Sequence, residues 1–299
     1  MTTTTPRNRP APSTCSPNPT SSVEVSLEKT SVTFGREHAL QDVYFRAEPG
    51  ERVAVIGTSG AGKSTLFRTL TRSVPLSSGT VEIGNRNLYE LPKKELKGVR
   101  RSIGTIYQAY NLVPQLPAGV NVALGEIGGM GRLDALRTFL TGPGAALTRR
   151  VREALEELGV GDYAAVRTAN LSGGQQQRVA VARLLVQRPS IVLADEPFAA
   201  VDPVTTEKVL EALNALNSDG ATLLINLHDV EIARRFPRIV ALREGRVAYD
   251  GPSEGITDDK LAEIYRRDPR VPEKIADDEQ PSYPDPTRIA EGRDGVAAH

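Results

Sequence analysis

Gly57-Thr-Ser-Gly-Ala-Gly-Lys-Ser64 sets three glycines, a lysine and a hydroxyl between the apolar run Arg52–Ile56 and a helix-like stretch, Lys63–Thr71. Glycines let a chain wrap closely, so the backbone N–H groups of Gly57, Thr58, Ser59, Gly60, Ala61 and Gly62, with a helix N-terminus behind them, can cradle phosphates. Lys63 reaches the β- and γ-phosphates in this reading, and the hydroxyl of Ser64, followed by Thr65, completes a magnesium shell. A second run, Ile191-Val-Leu-Ala-Asp-Glu196, delivers two carboxylates at what reads as the carboxyl end of a strand, where open α/β sheets place their ligands. Asp195 is suited to magnesium. Glu196 is suited to act as general base on the water attacking a γ-phosphate, a step that otherwise rests on positioning and charge neutralisation. A third stretch, Leu171-Ser-Gly-Gly-Gln-Gln-Gln177, leads into a helix-like run to Val186 and is a second N-terminal anion site. One γ-phosphate does not need two such sites on one subunit.

The elements that must carry these residues are legible as an alternation. Short β-branched runs at Arg52–Ile56, Ile191–Ala194 and Thr222–Leu227 are each followed by helix-like stretches, at Lys63–Thr71, Thr205–Asn217 and Val230–Arg235. Continuous apolar strands separated by helices predict a parallel sheet covered on both faces, an α/β core. From about Pro114 to Asn170 the pattern changes. Leu133–Leu140 and Leu147–Leu158 have helical spacing with Gly-rich breaks between them, which predicts a helical insert.

Composition bounds the rest. With 299 residues, 39% of them hydrophobic, the chain is long enough for one large or two small domains with a buried core. Its 37 basic and 37 acidic residues balance, so no net field draws it to nucleic acid. Residues 1–22 hold six Thr, four Ser and five Pro, and residues 268–299 hold eight acidic residues and five prolines beyond a last helix-like segment, Asp259–Arg267. Neither composition repays the entropy of ordering, so both read as loose tails. Cys15 is the only cysteine, which excludes an intrachain disulfide and fits a reducing compartment. No run approaches the roughly 20 apolar residues that cross a bilayer, and the N-terminus lacks the apolar segment of a secretory signal.

Together the phosphate loop, Leu171-Ser-Gly-Gly-Gln175, the Asp195-Glu196 strand and His228 resemble the ATP-binding cassette ATPases over about residues 23–267. The resemblance implies a phosphate-loop ATPase core with a mixed, largely parallel sheet, an antiparallel N-terminal part and the helical insert at about 114–170. It implies ATP and Mg2+ as ligands, and a homodimer in which Ser172, Gly173, Gly174 and Gln175 of one subunit complete the ATP site of the other. That resolves the second anion site. The family's other positions fall on Gln108, which senses magnesium; Asp202, on a loop crossing the dimer interface; His228, which contacts the γ-phosphate and orients the water; and Phe34, which stacks on adenine. Each has a plainer alternative: a polar strand end for Gln108, a helix cap before Pro203 for Asp202, an ordinary surface or core histidine for His228, core packing for Phe34. Two departures stand out. Ala199 and Ala200 replace an interface serine the family often carries, and Phe34 lacks the hydroxyl of the commoner tyrosine.

The resemblance also implies a subunit at the cytoplasmic face of the membrane, driving two permease subunits supplied by an extracytoplasmic substrate-binding protein. The coupling helices of the permease would dock near Gln108–Leu124. Tyr107–Pro114, the Gly125–Gly142 segment, Leu171–Arg178, Leu227-His-Asp229 and Ile239–Gly251 are similar to the ATPases of phosphonate importers. A transporter of another cargo, such as phosphate esters, phosphite, amino acids or lipid-linked molecules, has the same motor. A soluble cassette ATPase acting on ribosomes or DNA usually carries two cassettes or a heptad insertion, and this chain has one phosphate loop and no heptads.

Overall fold

A computed structural model of the chain describes residues 23–107, 110–127, 130, 143–198 and 202–266. The expected tails, the helical spacing at Leu133–Leu140, and Gln108, Ala199 and Ala200 lie outside the described residues. Two sheets organise the rest. In the first, β1 (Val25–Phe34) and β2 (Glu37–Ala47) form an antiparallel hairpin, with Gly35 supplying the φ of +59° that its turn requires. After β3 (Arg52–Gly57), β4 (Ser78–Ile83) pairs antiparallel with the other side of β1. The second sheet contains β3, β5 (Ile103–Ile106), β6 (Ile191–Asp195), β7 (Thr222–Asn226), β8 (Arg238–Arg243) and β9 (Arg246–Pro252), in the order β5-β6-β7-β3-β8-β9. All its pairings are parallel except β8 with β9, a hairpin turning at Glu244-Gly245.

The continuous apolar strands are buried on both faces, and their period of two divides the core. Ala54, Ile56, Val192, Ala194, Leu223 and Ile225 face one cluster, while Val53, Val55, Ile191, Leu193 and Leu224 face the other. The second cluster is closed by the antiparallel sheet, by α1 (Lys63–Leu70) through Leu66, Phe67 and Leu70, and by α2 (Lys93–Ser102) through Leu96 and Val99. The first is closed by α3 (Ala118–Ile127), α4 (Ala145–Glu157), α5 (Gly173–Gln187), α6 (Pro203–Ser218), the short α7 (Val230–Ala233) and α8 (Asp258–Tyr265). Removing one fully buried contributor such as Leu184 on α5 costs about 2–5 kcal/mol on truncation to Ala.

Beyond Asn170, the helix-like run read to Val186 is α5. Helix α5 packs against both α3 and α4, and Leu147, Val151, Leu155, Val179 and Leu184 share one cluster with the sheet. Two polar side chains, the buried Asn121 and the half-buried Arg183, hold the segment that enters this layer. The Asn121 amide donates to the Val113 carbonyl at 3.0 Å and accepts from the Val113 N–H at 2.7 Å. Arg183 donates to the Asn111 carbonyl at 2.6 Å, and its burial lowers the guanidinium pKa. Contacts divide the chain into Met1–Tyr265 and Arg266–His299, and only Arg266 of the second unit is described.

Candidate nucleotide site

Strand order puts the chemistry in one place. Because β3 lies between β7 and β8, and β6 lies beside β7, the carboxyl ends of β3, β6 and β7 are neighbours: Val55 pairs with Asn226, Asp195 with Asn226, and Gly57 with Leu242. Ligands of open α/β sheets bind at such ends. The loop leaving β3 has three glycines at positive φ, for two different reasons. At Gly57 and Gly62 a Cβ would stand 2.2 Å from the Leu242 carbonyl oxygen and 2.3 Å from that of Ala39, so no larger residue fits. At Gly60, with φ of +78°, nothing lies within 4 Å of that position. The loop is therefore tight against the protein at its ends and open at its crest.

Helix α1 starts from Gly62 with no side chain capping its first turn, which leaves those N–H groups for an anion. Lys63 is buried, and its Nζ donates to the Gly57 carbonyl at 2.8 Å and the Thr58 carbonyl at 3.0 Å. Burial lowers the Lys63 pKa, while Glu196 and Asp195 oppose that shift. Both carboxylates are thus electrostatic neighbours of the loop lysine. Asp195 is buried, and its Oδ1 accepts from the Asn226 amide, which leaves Oδ2 for a cation. No three His, Cys, Asp or Glu side chains gather among the described residues, so a metal here would take phosphate or water oxygens to complete its shell.

Glu196 has φ of +54°, a left-handed conformation that strains a side chain larger than Gly, and its N–H donates to the Asn226 carbonyl at 3.1 Å. This turn carries the carboxylate out of the strand, where its Oε1 lies 2.5 Å from His228 Nε2. Glu196 and His228, expected from separate strands, are brought together. On the inner side of the same turn, the fully buried Gln177 of α5 donates its amide to the Pro197 carbonyl.

Among the described residues, no side-chain hydrogen bond joins Ser172, Gln175 or Asp202 to the loop. Ser172 and Gln175 close a reciprocal capping box on α5: the Ser172 hydroxyl accepts from the Gln175 N–H at 3.3 Å, and the Gln175 Oε1 accepts from the Ser172 N–H at 2.9 Å. Ser172 and Gly173 are exposed. Among the described residues, no hydrogen bond joins this segment to Gly57–Thr65. Asp202 caps α6, accepting from the Thr205 N–H at 3.0 Å and the Thr205 hydroxyl at 2.7 Å, and the hydroxyl bond is the main cause holding its carboxyl below the ordinary value. Phe34 ends β1 at 40% exposure, which removes core packing as its explanation. Sequence reading missed Asn226, Gln177 and Arg183. Only Asn226 left a local signal, a lone amide inside the apolar run Thr222–Leu227.

A family model described as ABC transporter matches residues 40–199, more than half of the chain. The chain belongs to the ABC transporter family. Among its relatives, a phosphonates import ATP-binding protein of Maricaulis maris is 44% identical over 247 residues, covering 81% of this chain and 92% of that protein. The protein of the same name from Burkholderia pseudomallei (strain K96243) is 40% identical over 266 residues, covering 86% and 85%. The dimeric structure of a bacterial ABC transporter cassette superposes with a TM-score of 0.70 at 34% identity, covering 78% of this chain and all 100% of the other. A dimeric post-hydrolysis state of an ATP-binding cassette, bound to ADP and Pi, gives 0.69 at 34% identity. The mixed sheet, antiparallel N-terminal part and helical layer are the ABC ATPase fold. No helix among the described residues is long and apolar enough to cross a membrane.

Proposed function

We propose that the chain is the ATP-hydrolysing subunit of an importer of phosphonates or related phosphorus oxyanions. The observation that carries the chemistry is the Glu196 carboxylate, raised out of β6 on a left-handed residue, 2.5 Å from His228 and electrostatically coupled to the loop lysine. The cargo rests on the relatives named above, and no residue of this chain is read as touching it.

In this reading the N–H groups of Gly57 to Thr65 and the N-terminus of α1 bind the phosphates, and Phe34 supplies a face for adenine. Lys63 exchanges its carbonyls at Gly57 and Thr58 for β- and γ-phosphate oxygens. The Ser64 hydroxyl, Asp195 and Gln108 would hold Mg2+ together with phosphate or water oxygens, and the ion would supply positive charge at the transferring phosphoryl group. Asn226 keeps the Asp195 carboxylate turned to that position. Glu196 accepts a proton from the attacking water, and His228 contacts the γ-phosphate and orients that water. Ser172, Gly173, Gly174 and Gln175 serve the ATP on the loop of a second copy, and Asp202 lies on the crossing loop between copies. The dimer works at the cytoplasmic face of the membrane with two permease subunits and an extracytoplasmic substrate-binding protein. Nucleic acid is not a partner. Each ligand does work through its different affinity for the closed and open dimer.

The test is Glu196→Gln in the chain co-purified with its membrane partners. ATP binding should persist, turnover should fall about 100-fold or more, and an ATP-bound dimer should accumulate. Near-normal turnover removes Glu196 from the base role.

A further inference from the structure

Gln177 sits on α5, less than two turns after the Ser172–Gln175 capping box, and is completely buried. Its amide nitrogen donates to the Pro197 carbonyl and lies 3.4 Å from the Glu196 carbonyl oxygen. The opposite amide orientation would set an oxygen against two carbonyl oxygens, so these contacts fix which end faces the turn. Its Oε1 meets no donor among the described residues. A buried amide held by one end is an expensive way to fill space, and an apolar side chain of equal length would pack there without that cost. What the amide does supply is a grip on both carbonyls of the turn in which Glu196 takes φ of +54°.

We propose that Gln177 is a positioning residue for hydrolysis. It holds the strained Glu196-Pro197 turn from the inside, while the Asn226 carbonyl holds the Glu196 N–H from the sheet side, and together they aim the carboxylate at the attacking water. Because Gln177 and the exposed Ser172–Gln175 turn share one helix, a displacement of that turn carries to Glu196 through a single side chain. This rests on the reading of Glu196 as general base.

The experiment is a double-mutant cycle in the transporter complex, reading ATP turnover and ATP affinity. Gln177→Met keeps the length and removes the donor. It should lower kcat about 10- to 100-fold with KM for ATP unchanged within about twofold, the pattern of a misaimed catalytic group and not of lost binding. In the Glu196→Gln background, the same change should lower the residual turnover no further, because it acts only through that carboxylate. Gln177→Asn keeps the amide but falls one methylene short. It should lose less than Gln177→Met, and it carries the same cycle if the Met variant does not fold. Unchanged kcat in both variants, or losses that multiply in the double mutant, overturn the proposal and reduce Gln177 to packing. Full turnover in Glu196→Gln alone is a different failure, that of the base assignment.

Discussion

Gly57 and Gly60 belong to one loop and both adopt positive φ, yet the structure gives them opposite consequences on substitution by Ala. At Gly60 the new methyl enters open space, so the cost is the left-handed penalty of about 1–2 kcal/mol, partly offset by a less flexible unfolded chain. The net is about 1 kcal/mol, or about 2–4 °C in Tm for a domain of this size. At Gly57 the methyl would stand 2.2 Å from the Leu242 carbonyl, which belongs to the paired strand β8 and cannot swing aside. Backbone strain and overpacking each cost about 1–3 kcal/mol, so Gly57→Ala should lose about 3–5 kcal/mol and about 10 °C. Function should divide the other way. Gly60→Ala should fold but bind ATP about tenfold more weakly, because its methyl occupies the open crest over which phosphate must pass. Thermal unfolding and nucleotide titration of both variants check this. Equal destabilisation of the two, or unchanged ATP affinity in Gly60→Ala, would refute the division of the loop into a packed base and an open crest.

Lys63→Ala removes a charge-assisted donor, and both ATP affinity and turnover should fall at least about tenfold, read by nucleotide titration and phosphate release. His228→Ala should lower turnover about 100-fold while ATP still binds, since the lost imidazole acts on developing charge and on Glu196, 2.5 Å away. Asp202 should shape the acid limb of stability. Its folded pKa lies below the ordinary 3.8, so its contribution is present above that value and lost as pH falls through the lower folded one. Asp202→Ala should therefore flatten the fall of Tm below about pH 4, and an unchanged slope there would show that the cap carries no such linkage.

The parallel core was legible because its strands are unbroken apolar runs, buried on both faces, with a helix after each. The loop, the two carboxylates and the capping turn at Ser172 were legible for a similar reason, since each is a local pattern whose neighbours in sequence are its neighbours in space. Residues that act on distant backbone were not. Gln177 reads as one of three successive glutamines, and nothing beside it says that it reaches the carbonyl of Pro197. Arg183 reads as one more helical cation, though it donates to the carbonyls of Thr105, Tyr110 and Asn111. The two kinds of loop glycine were indistinguishable for the same reason, because what separates them is backbone distant in sequence, that of Leu242 at Gly57 and of Ala39 at Gly62.

The most direct test of the whole account is ATP-dependent uptake of a labelled alkylphosphonate by vesicles containing this chain, its permease and its binding protein, with Glu196→Gln as the paired control. The account predicts uptake that requires ATP, is competed by related phosphorus oxyanions and is abolished in the variant. A complex that hydrolyses ATP but moves no phosphonate would contradict the cargo assignment, and uptake undiminished in Glu196→Gln would contradict the motor itself.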